Sequence, residues 1–308
     1  MQKNIILAKK TLEKGDLVIF PTETVYGLGG DATNKEAIKK IYNLKKRPET
    51  NPIICHFRDI EQVNQNFKIS KIDSLLINLF WPGALTLILQ KKSSSLISPS
   101  VSNNSDLVGC RIPNHPIAIE LLNNLKFPIA APSANIATRI SSTHYNHISE
   151  NLRKNSFILK SGSSPLGLES TVLQTFNDKI EILRLGSITI ETIIKKIPNI
   201  RIEIKNIDST LSPGNQFKHY SPNHPIRLNV KEVRNYECLL NFGKNNLKSK
   251  IFAYNLSSKG DLSEASKNFF NFLFLLDNLD CKGIAIAPIP NYDLGRTIND
   301  RLMRASNK

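Results

Sequence analysis

The chain has 308 residues, 40% of them apolar and 22% charged, enough hydrophobic material for two packed units and too much for a disordered one. Its 41 Lys and Arg against 26 Asp and Glu leave a net charge of +15, which favours nucleotides, tRNA or an anionic surface as partners without choosing among them. Cys55, Cys110, Cys238 and Cys281 form no C-x-x-C pair, against a structural zinc site or secreted disulfide framework. The most apolar run, Phe269 to Leu276, is far short of the ~20 residues of a membrane span, so a soluble, untargeted, cytoplasmic chain is expected.

In chain order, Ile5 to Lys14 predicts a helix, Leu17 to Phe20 a buried strand, and Ala37, Ile38, Ile41, Tyr42 and Leu44 the apolar stripe of a second helix. Strands are predicted at 53–57, 85–89, 107–111, 129–131, 157–160, 171–175 and 180–183, with helices near 72–80, 116–124 and 189–196. Consecutive strands at 171–175 and 180–183 imply a mixed α/β sheet and not a purely parallel one. Residues 205–225, rich in turn formers, mark a break; beyond it, a strand at 251–254, a helix at 263–278, a strand at 283–287 and a helix at 297–305 form a smaller α/β unit. The division is therefore 1–205, a linker at 206–225, and 226–308.

Gly27-Leu-Gly-Gly-Asp-Ala32 fits the spacing of a dinucleotide fingerprint, but Pro21 to Tyr26 intervene between the strand and the glycines, and no P-loop occurs anywhere. What remains is a set of polar and cationic residues near successive strand ends: Phe20-Pro-Thr-Glu-Thr-Val-Tyr-Gly-Leu-Gly29, Lys45-x-Arg47-Pro48 with Asn51-Pro52, Trp81-Pro-Gly-Ala-Leu-Thr86, Arg111-Ile-Pro113, Ala131-Pro-Ser-Ala-Asn135, Glu169-Ser-Thr-Val172 and Ile182-Leu-Arg184. Singly, an Arg at a strand end is a surface ion pair, a strand His is structural, and Ser-Ala-Asn is a turn or cap.

As an ordered series these motifs resemble the YrdC-like domain of the threonylcarbamoyl-AMP synthase family. Ser212-Pro-Gly, Lys218-His-Tyr-Ser-Pro222 and the tail from Gly295 to Ala305 extend the resemblance to its longer, two-domain branch. Leu185 stands where the family has Pro, Lys218 where Arg is usual, and the second domain is shorter.

The resemblance implies a twisted mixed sheet with a basic concave cleft and an enzyme that joins L-threonine, bicarbonate and ATP into L-threonylcarbamoyl-AMP and pyrophosphate for tRNA modification. It places Thr24, His56, Arg111 and Ser170 on threonine, and Arg47, Asn51, Ser133, Ser141 and Arg184 on ATP, with Lys45, Arg47 and Arg111 taking part in catalysis; the linker, as a lid over the nucleotide, adds Tyr220 to the ATP contacts. Lys45 is a phosphate contact or, alternatively, a salt-bridge partner of Glu49. His56 is the candidate general base, if one is needed. With no Asp/Glu cluster to cage a metal, Mg²⁺ is expected to arrive on the triphosphate.

Partners then include a downstream enzyme that transfers the product to tRNA, and the charge allows a weak tRNA contact; none is a membrane. Two other readings are a non-catalytic RNA-binding module and a carbamoyl-adenylate-forming domain of the hydrogenase-maturation type. Ser212 to Pro222 is richer than a tether requires, and predicts a lid over the nucleotide built with Lys218 and Tyr220; the alternative is that Phe217 and Tyr220 glue the second domain to the first. A cut after about residue 224 is expected to preserve a lid's activity.

Overall fold

The computed structural model describes residues 2–177, 179–205 and 219–306. Most of the 206–225 linker, Phe217 and Lys218 included, lies outside the described residues.

Helix α1 (Gln2–Glu13) buries Ile5, Ala8 and Leu12 at i, i+3 and i+7, as its sequence pattern requires, and leads into β1 (Val18–Phe20). Next comes β2 (Gly27–Asp31), a glycine-rich strand that propensity does not predict. Pairing with β1 holds it in the sheet, and glycine is needed there because a Cβ on Gly29 would sit 2.6 Å from Ile129 and 2.8 Å from Phe20. Helix α2 (Lys35–Lys45) starts at Asn34, whose side chain accepts the N–H groups of Glu36 and Ala37, and stops at Lys46 in the left-handed region.

Then follow β3 (Cys55–His56), α3 (Ile60–Asn66), β4 (Phe67–Lys68), α4 (Lys71–Phe80), β5 (Leu85–Lys91), β6 (Leu107–Arg111), α5 (Pro116–Asn123), β7 (Ile129–Ala130), α6 (Glu150–Lys154) and β8 (Phe157–Ile158). The first sheet is completed by β9 (Thr171–Thr175), β10 (Lys179–Arg184), α7 (Ile190–Lys196) and β11 (Arg201–Ile204). Among the described residues it runs β11-β10-β9-β5-β6-β3-β7-β2-β1-β8, with β4 on β5. It is mixed: β9–β10 and β5–β6 are antiparallel, whereas β5–β9 and β3–β6 are parallel.

A second sheet holds β12 (Ile226–Arg227), β13 (Glu237–Asn241), β14 (Ala253–Asn255) and β15 (Gly283–Ile286) in the order β12-β15-β13-β14, every pair parallel. Helices α8 (Leu262–Asp277) and α9 (Asp293–Ser306) cover one face, where Cys238, Leu240, Ile284 and Ile286 meet Phe269, Leu273, Ile298 and Leu302. Loop residues cover the other, where Val230, Val233 and Leu247 meet Leu239 and Ala285.

Candidate active site

The central strands β9-β5-β6-β3-β7-β2-β1 bring their connections together at a buried pocket. Its lining comprises Thr22, Thr24, Val25 and Gly27 from the turn between β1 and β2, Arg47 after α2, Ile54, His56, Arg111, and Ala131 to Ser133 after β7. Glu169, Ser170, Arg184, His219 and Tyr220 complete it. Register explains the convergence: His56 lies opposite Arg111 in the β3–β6 ladder, and Gly27 bridges to Ser133. The free volume is about 50 Å³, far below the ~300 Å³ at which small-molecule pockets usually begin, with His219 and Tyr220 as part of the closing wall.

The Thr-Glu-Thr turn is rigid by its own chemistry. Thr22 Oγ1 donates to Val25 O at 2.6 Å and accepts the N–H groups of Thr24 and Val25 at 3.2 Å each. Thr24 is thereby held for Arg111, whose guanidinium donates to Thr24 Oγ1 at 2.9 Å and Gly83 O at 3.0 Å and pairs with Glu23 at 2.6 Å. Three fixed contacts leave this fork one orientation, suited to a planar carboxylate. Across the pocket, Arg184 donates to Ser170 O at 2.8 Å and Ser170 Oγ at 3.0 Å, while Ser170 Oγ also meets Thr86 Oγ1 at 2.8 Å. Arg47 is held by neutral acceptors, Asn51 O at 3.0 Å, Asn51 Oδ1 at 2.7 Å and Pro52 O at 2.8 Å.

These cations are buried, and burial works against their charge. Desolvation, partly offset by Tyr42 and reinforced by Arg184, brings Arg47 down to about 10. Arg184 is lowered too, again chiefly by desolvation. His56, edge-on to Phe20, is pushed down to about 3 by desolvation and then by Arg111. It is therefore neutral at physiological pH and too weak a base for the role the sequence offered it, because the strand that places it beside Arg111 also dries it. Tyr220 is raised to about 12 by burial.

Lys45 also has a different task from the phosphate contact or Glu49 salt bridge anticipated. Its ammonium, fully buried, donates to Ser133 O at 2.6 Å and to Asn135 O, outside the pocket lining. Desolvation and Arg47 hold it well below the usual lysine range. It therefore fastens the Pro-Ser-Ala-Asn loop to the end of α2.

Residues 10–186 match the family described as "Telomere recombination", and residues 188–307 match "Threonylcarbamoyl-AMP synthase, C-terminal domain". The threonylcarbamoyl-AMP synthase of Bacillus subtilis (strain 168) is 34% identical over 98% of this chain and 92% of its own length. That of Pyrococcus abyssi (strain GE5 / Orsay) is 33% identical over 98% and 94%. The crystal structure of P. abyssi Sua5 complexed with L-threonine superposes with a TM-score of 0.89, at 31% identity over 99% of this chain and 94% of that one. The chain belongs to the threonylcarbamoyl-AMP synthase family.

Within this family frame, eight of the residues named from sequence line the pocket: Thr24, Arg47, His56, Arg111, Ser133, Ser170, Arg184 and Tyr220. Asn51 and Ser141 stand one layer behind, Asn51 as the acceptor for Arg47 and Ser141 as a donor to Glu169 at 2.7 Å.

Sequence reasoning missed two carboxylates and a cation. Glu23 was visible only as part of a motif, and its partner Arg111 lies 88 positions away. Glu169 pairs at 3.1 Å with Arg301 of α9, a fully buried side chain that also bonds Asp300 and Leu185 O. Burial alone would raise Glu169, yet Arg301, Arg184 and the Ser141 hydrogen bond hold it below the usual range. No local signal marks Arg301, since its face of α9 is buried by another part of the chain.

The alternatives for the linker, lid or glue, are not exclusive at its described end. Tyr220 lines the pocket, yet its ring packs 5.4 Å from Phe270 of α8 and lies beneath the Arg301 guanidinium at 5.0 Å. The pocket wall at Tyr220 thus rests on the second sheet's helices, and a cut after residue 224 removes its support. The expectation that such a cut preserves activity is therefore revised.

Proposed function

We propose that this chain is an L-threonylcarbamoyl-adenylate synthase, converting L-threonine, bicarbonate and ATP into L-threonylcarbamoyl-AMP and pyrophosphate as the first step of a tRNA modification. The observation that carries this is a buried pocket with Arg47, Arg111 and Arg184 in its lining, in a chain that matches synthases of this name almost end to end. Threonine's amine takes up carbon dioxide or bicarbonate as a carbamate, whose oxygen attacks the α-phosphorus of ATP and expels pyrophosphate. Threonine carboxylate, carbamate and triphosphate repel one another; preset guanidinium donors in a dry pocket offset that repulsion and stabilise the charge gathering at phosphorus.

In this reading the fixed fork of Arg111, with Thr24, His56 and Ser170 beside it, receives threonine. Arg47 and Arg184, with Ser133 and Tyr220, receive ATP, while Asn51, Ser141 and Lys45 hold those groups in place. His56 acts as a neutral polar contact. Positioning supplies the catalysis, and an exogenous or substrate base takes the amine proton. Glu169, the pocket's only carboxylate among the described lining residues, is already committed to Arg301, so Mg²⁺ would enter on the triphosphate. Tyr220 closes over the nucleotide and keeps water from the adenylate. Residues 1–205 would form the catalytic unit, 206–225 the linker and lid, and 226–308 the unit on which the lid rests. The product passes to a downstream tRNA threonylcarbamoyl-transfer enzyme in the cytoplasm, with weak tRNA contact through the basic surface.

Mass spectrometry of the nucleotide product tests this. Threonylcarbamoyl-AMP and pyrophosphate should form only when threonine, bicarbonate and ATP are all present, without tRNA. Product from carbamoyl phosphate without threonine would replace this reading with the hydrogenase-maturation type, and no nucleotide turnover at all would leave an RNA-binding module. A chain ending at residue 205 that makes and retains the adenylate as well as the full chain would end the lid proposal.

A further inference from the structure

The second sheet carries a crevice remote from the chemistry proposed above. In a parallel sheet, a cleft opens beyond the carboxyl ends of two neighbouring strands whose following segments depart to opposite faces. Strands β12 and β15 meet that condition. The chain leaving β12 turns to the loop-covered face, where Val230 packs on Leu239 and Ala285. The chain leaving β15 turns to the helical face and becomes α9, where Ile298 and Leu302 join Ile284 and Ile286.

Between the two departures lies a cavity of about 320 Å³, within the range of small-molecule sites. Its lining is Leu228 and Asn229 after β12, Ile286, Ala287, Ile289 and Asn291 at and after the end of β15, and Asn299, Leu302 and Met303 of α9. None of these side chains is charged, so a phosphate or carboxylate would find no counter-charge there. The aliphatic residues provide an apolar floor. Three carboxamides provide hydrogen bonding, and Met303 provides a thioether suited to an aromatic edge. Asn299 donates Nδ2–H to Ile289 O at 3.0 Å, leaving its Oδ1 as what it offers the crevice. Asn229, held in the left-handed region at φ 51°, and Asn291 make no side-chain hydrogen bond among the described residues and keep both donor and acceptor available. A flat apolar body with a donor and acceptor edge and no charge is the chemistry of a nucleobase, and carboxamides match purine edges in two-point contacts.

We propose that this crevice binds an uncharged purine base, carried either by a free nucleoside or by an RNA strand. Helix α9 connects it to the pocket. Thr297, Arg301 and Arg304 recur on the face that meets Gly186 O, Glu169 and the His219 N–H, whereas Asn299, Leu302 and Met303 lie on the opposite face. A base in the crevice therefore leans on the back of the helix that anchors Glu169 and Tyr220, and biases how the pocket is held.

The sequence offers a direct probe, because its only methionines are Met1 and Met303. The full chain labelled with methyl-¹³C methionine is titrated with adenosine, with AMP and with a short single-stranded oligoadenylate, first alone and then with threonine and just enough non-hydrolysable ATP analogue to fill the pocket. The Met303 methyl resonance should move saturably, with AMP no tighter than adenosine. Movement by adenosine identifies a free nucleoside as sufficient; movement by the oligonucleotide alone identifies an RNA-borne base. Asn291→Ala and Asn299→Ala should each weaken the response about tenfold. Asn291 is exposed and unbonded, so its variant keeps the fold even if Asn299→Ala does not. A Met303 resonance unmoved by every probe, movement that disappears once the pocket is saturated, or unchanged affinity in the folded Asn291→Ala variant would each overturn the proposal. This outcome is independent of the synthase reading, which the product assay judges on its own.

Discussion

Arg47 and Arg301 are both buried arginines near the same pocket, and their surroundings move them in opposite directions. Arg47, in the pocket lining, is bonded to Asn51 and Pro52 acceptors and is lowered to about 10 by desolvation. Arg301, at the seam with α9, suffers the same desolvation, but Tyr220, Glu169 and Asp300 more than offset it and raise it. Arg301, matched by the two carboxylates of Glu169 and Asp300, is part of the structure; Arg47, matched only by carbonyl groups, keeps attraction in reserve for an anion that arrives later, and Arg111, with the single carboxylate of Glu23, lies between them. The seam is electrostatically complete and the Arg47 wall is not, which is the division expected between scaffold and binding surface.

The largest test of this contrast is Arg301→Ala. Removing one partner of a fully buried pair strands Glu169, at a cost of about 3–5 kcal/mol in urea unfolding. A midpoint equal to the parent's would show that the seam does not hold the second sheet to the first. Adding Glu169→Gln should recover part of the loss, whereas two independent surface charges would simply add.

Next in size is the pair Arg111→Ala and Arg184→Ala. A hydrogen bond to a charged group contributes roughly 1.5–3 kcal/mol, so Arg111→Ala should raise the threonine KM on the order of tenfold to a hundredfold with ATP affinity retained. Arg184→Ala should do the reverse. Steady-state kinetics with each substrate varied decides the matter, and equal defects in both variants would reduce the two arginines to fold support.

Arg47→Met sharpens the comparison from the other side. If its charge awaits ATP, affinity for ATP should fall about tenfold while unfolding free energy falls by only about 1–3 kcal/mol, the cost of leaving the Asn51 and Pro52 acceptors unpaired, because no buried counter-charge is stranded. Calorimetric ATP titration and urea unfolding on one preparation check both halves, and a destabilisation as large as that of Arg301→Ala would erase the distinction between the two walls.

The smallest effect is in pH. His56 and His147 are lowered, to about 3 and about 4, chiefly by desolvation, from an ordinary value of 6.5. Between those values and 6.5 the unfolded chain binds more protons than the folded one, so stability falls as pH falls through that window. Each histidine should cost about 1 kcal/mol between pH 6.5 and 5.5. Glu169, held below its ordinary range, stays ionised there, so the seam does not contribute to this loss. Unfolding midpoints at the two pH values should differ, and His147→Asn should reduce the difference by roughly a third, since burial also lowers His219 well below its ordinary value; a flat profile would contradict the dryness ascribed to these histidines.

Local text determined a good deal of this molecule. The apolar spacings of α1 and α2, the β-rich runs of β5, β6 and β9, and the polar clusters near their ends were legible because each is a short-range pattern with a period or a turn behind it. The ordered motifs, with the resemblance they carry, also marked eight residues that the fold gathers into one pocket. What the sequence by itself did not determine depends on long-range contact. The strand Gly27–Asp31 exists because it pairs with β1 and β7, and Phe20 and Ile129 leave no room for a Cβ at Gly29, so long-range pairing overrode glycine's poor strand propensity. His56 and Lys45 looked like a base and a phosphate ligand from residue type alone, and only burial, beside Arg111 for one and against the Ser133 and Asn135 carbonyls for the other, changed what each can do. The pairing of Glu169 with Arg301, 132 positions apart, was decided by the docking of α9 alone, because charge in a sequence has no direction until the fold removes the water between two groups.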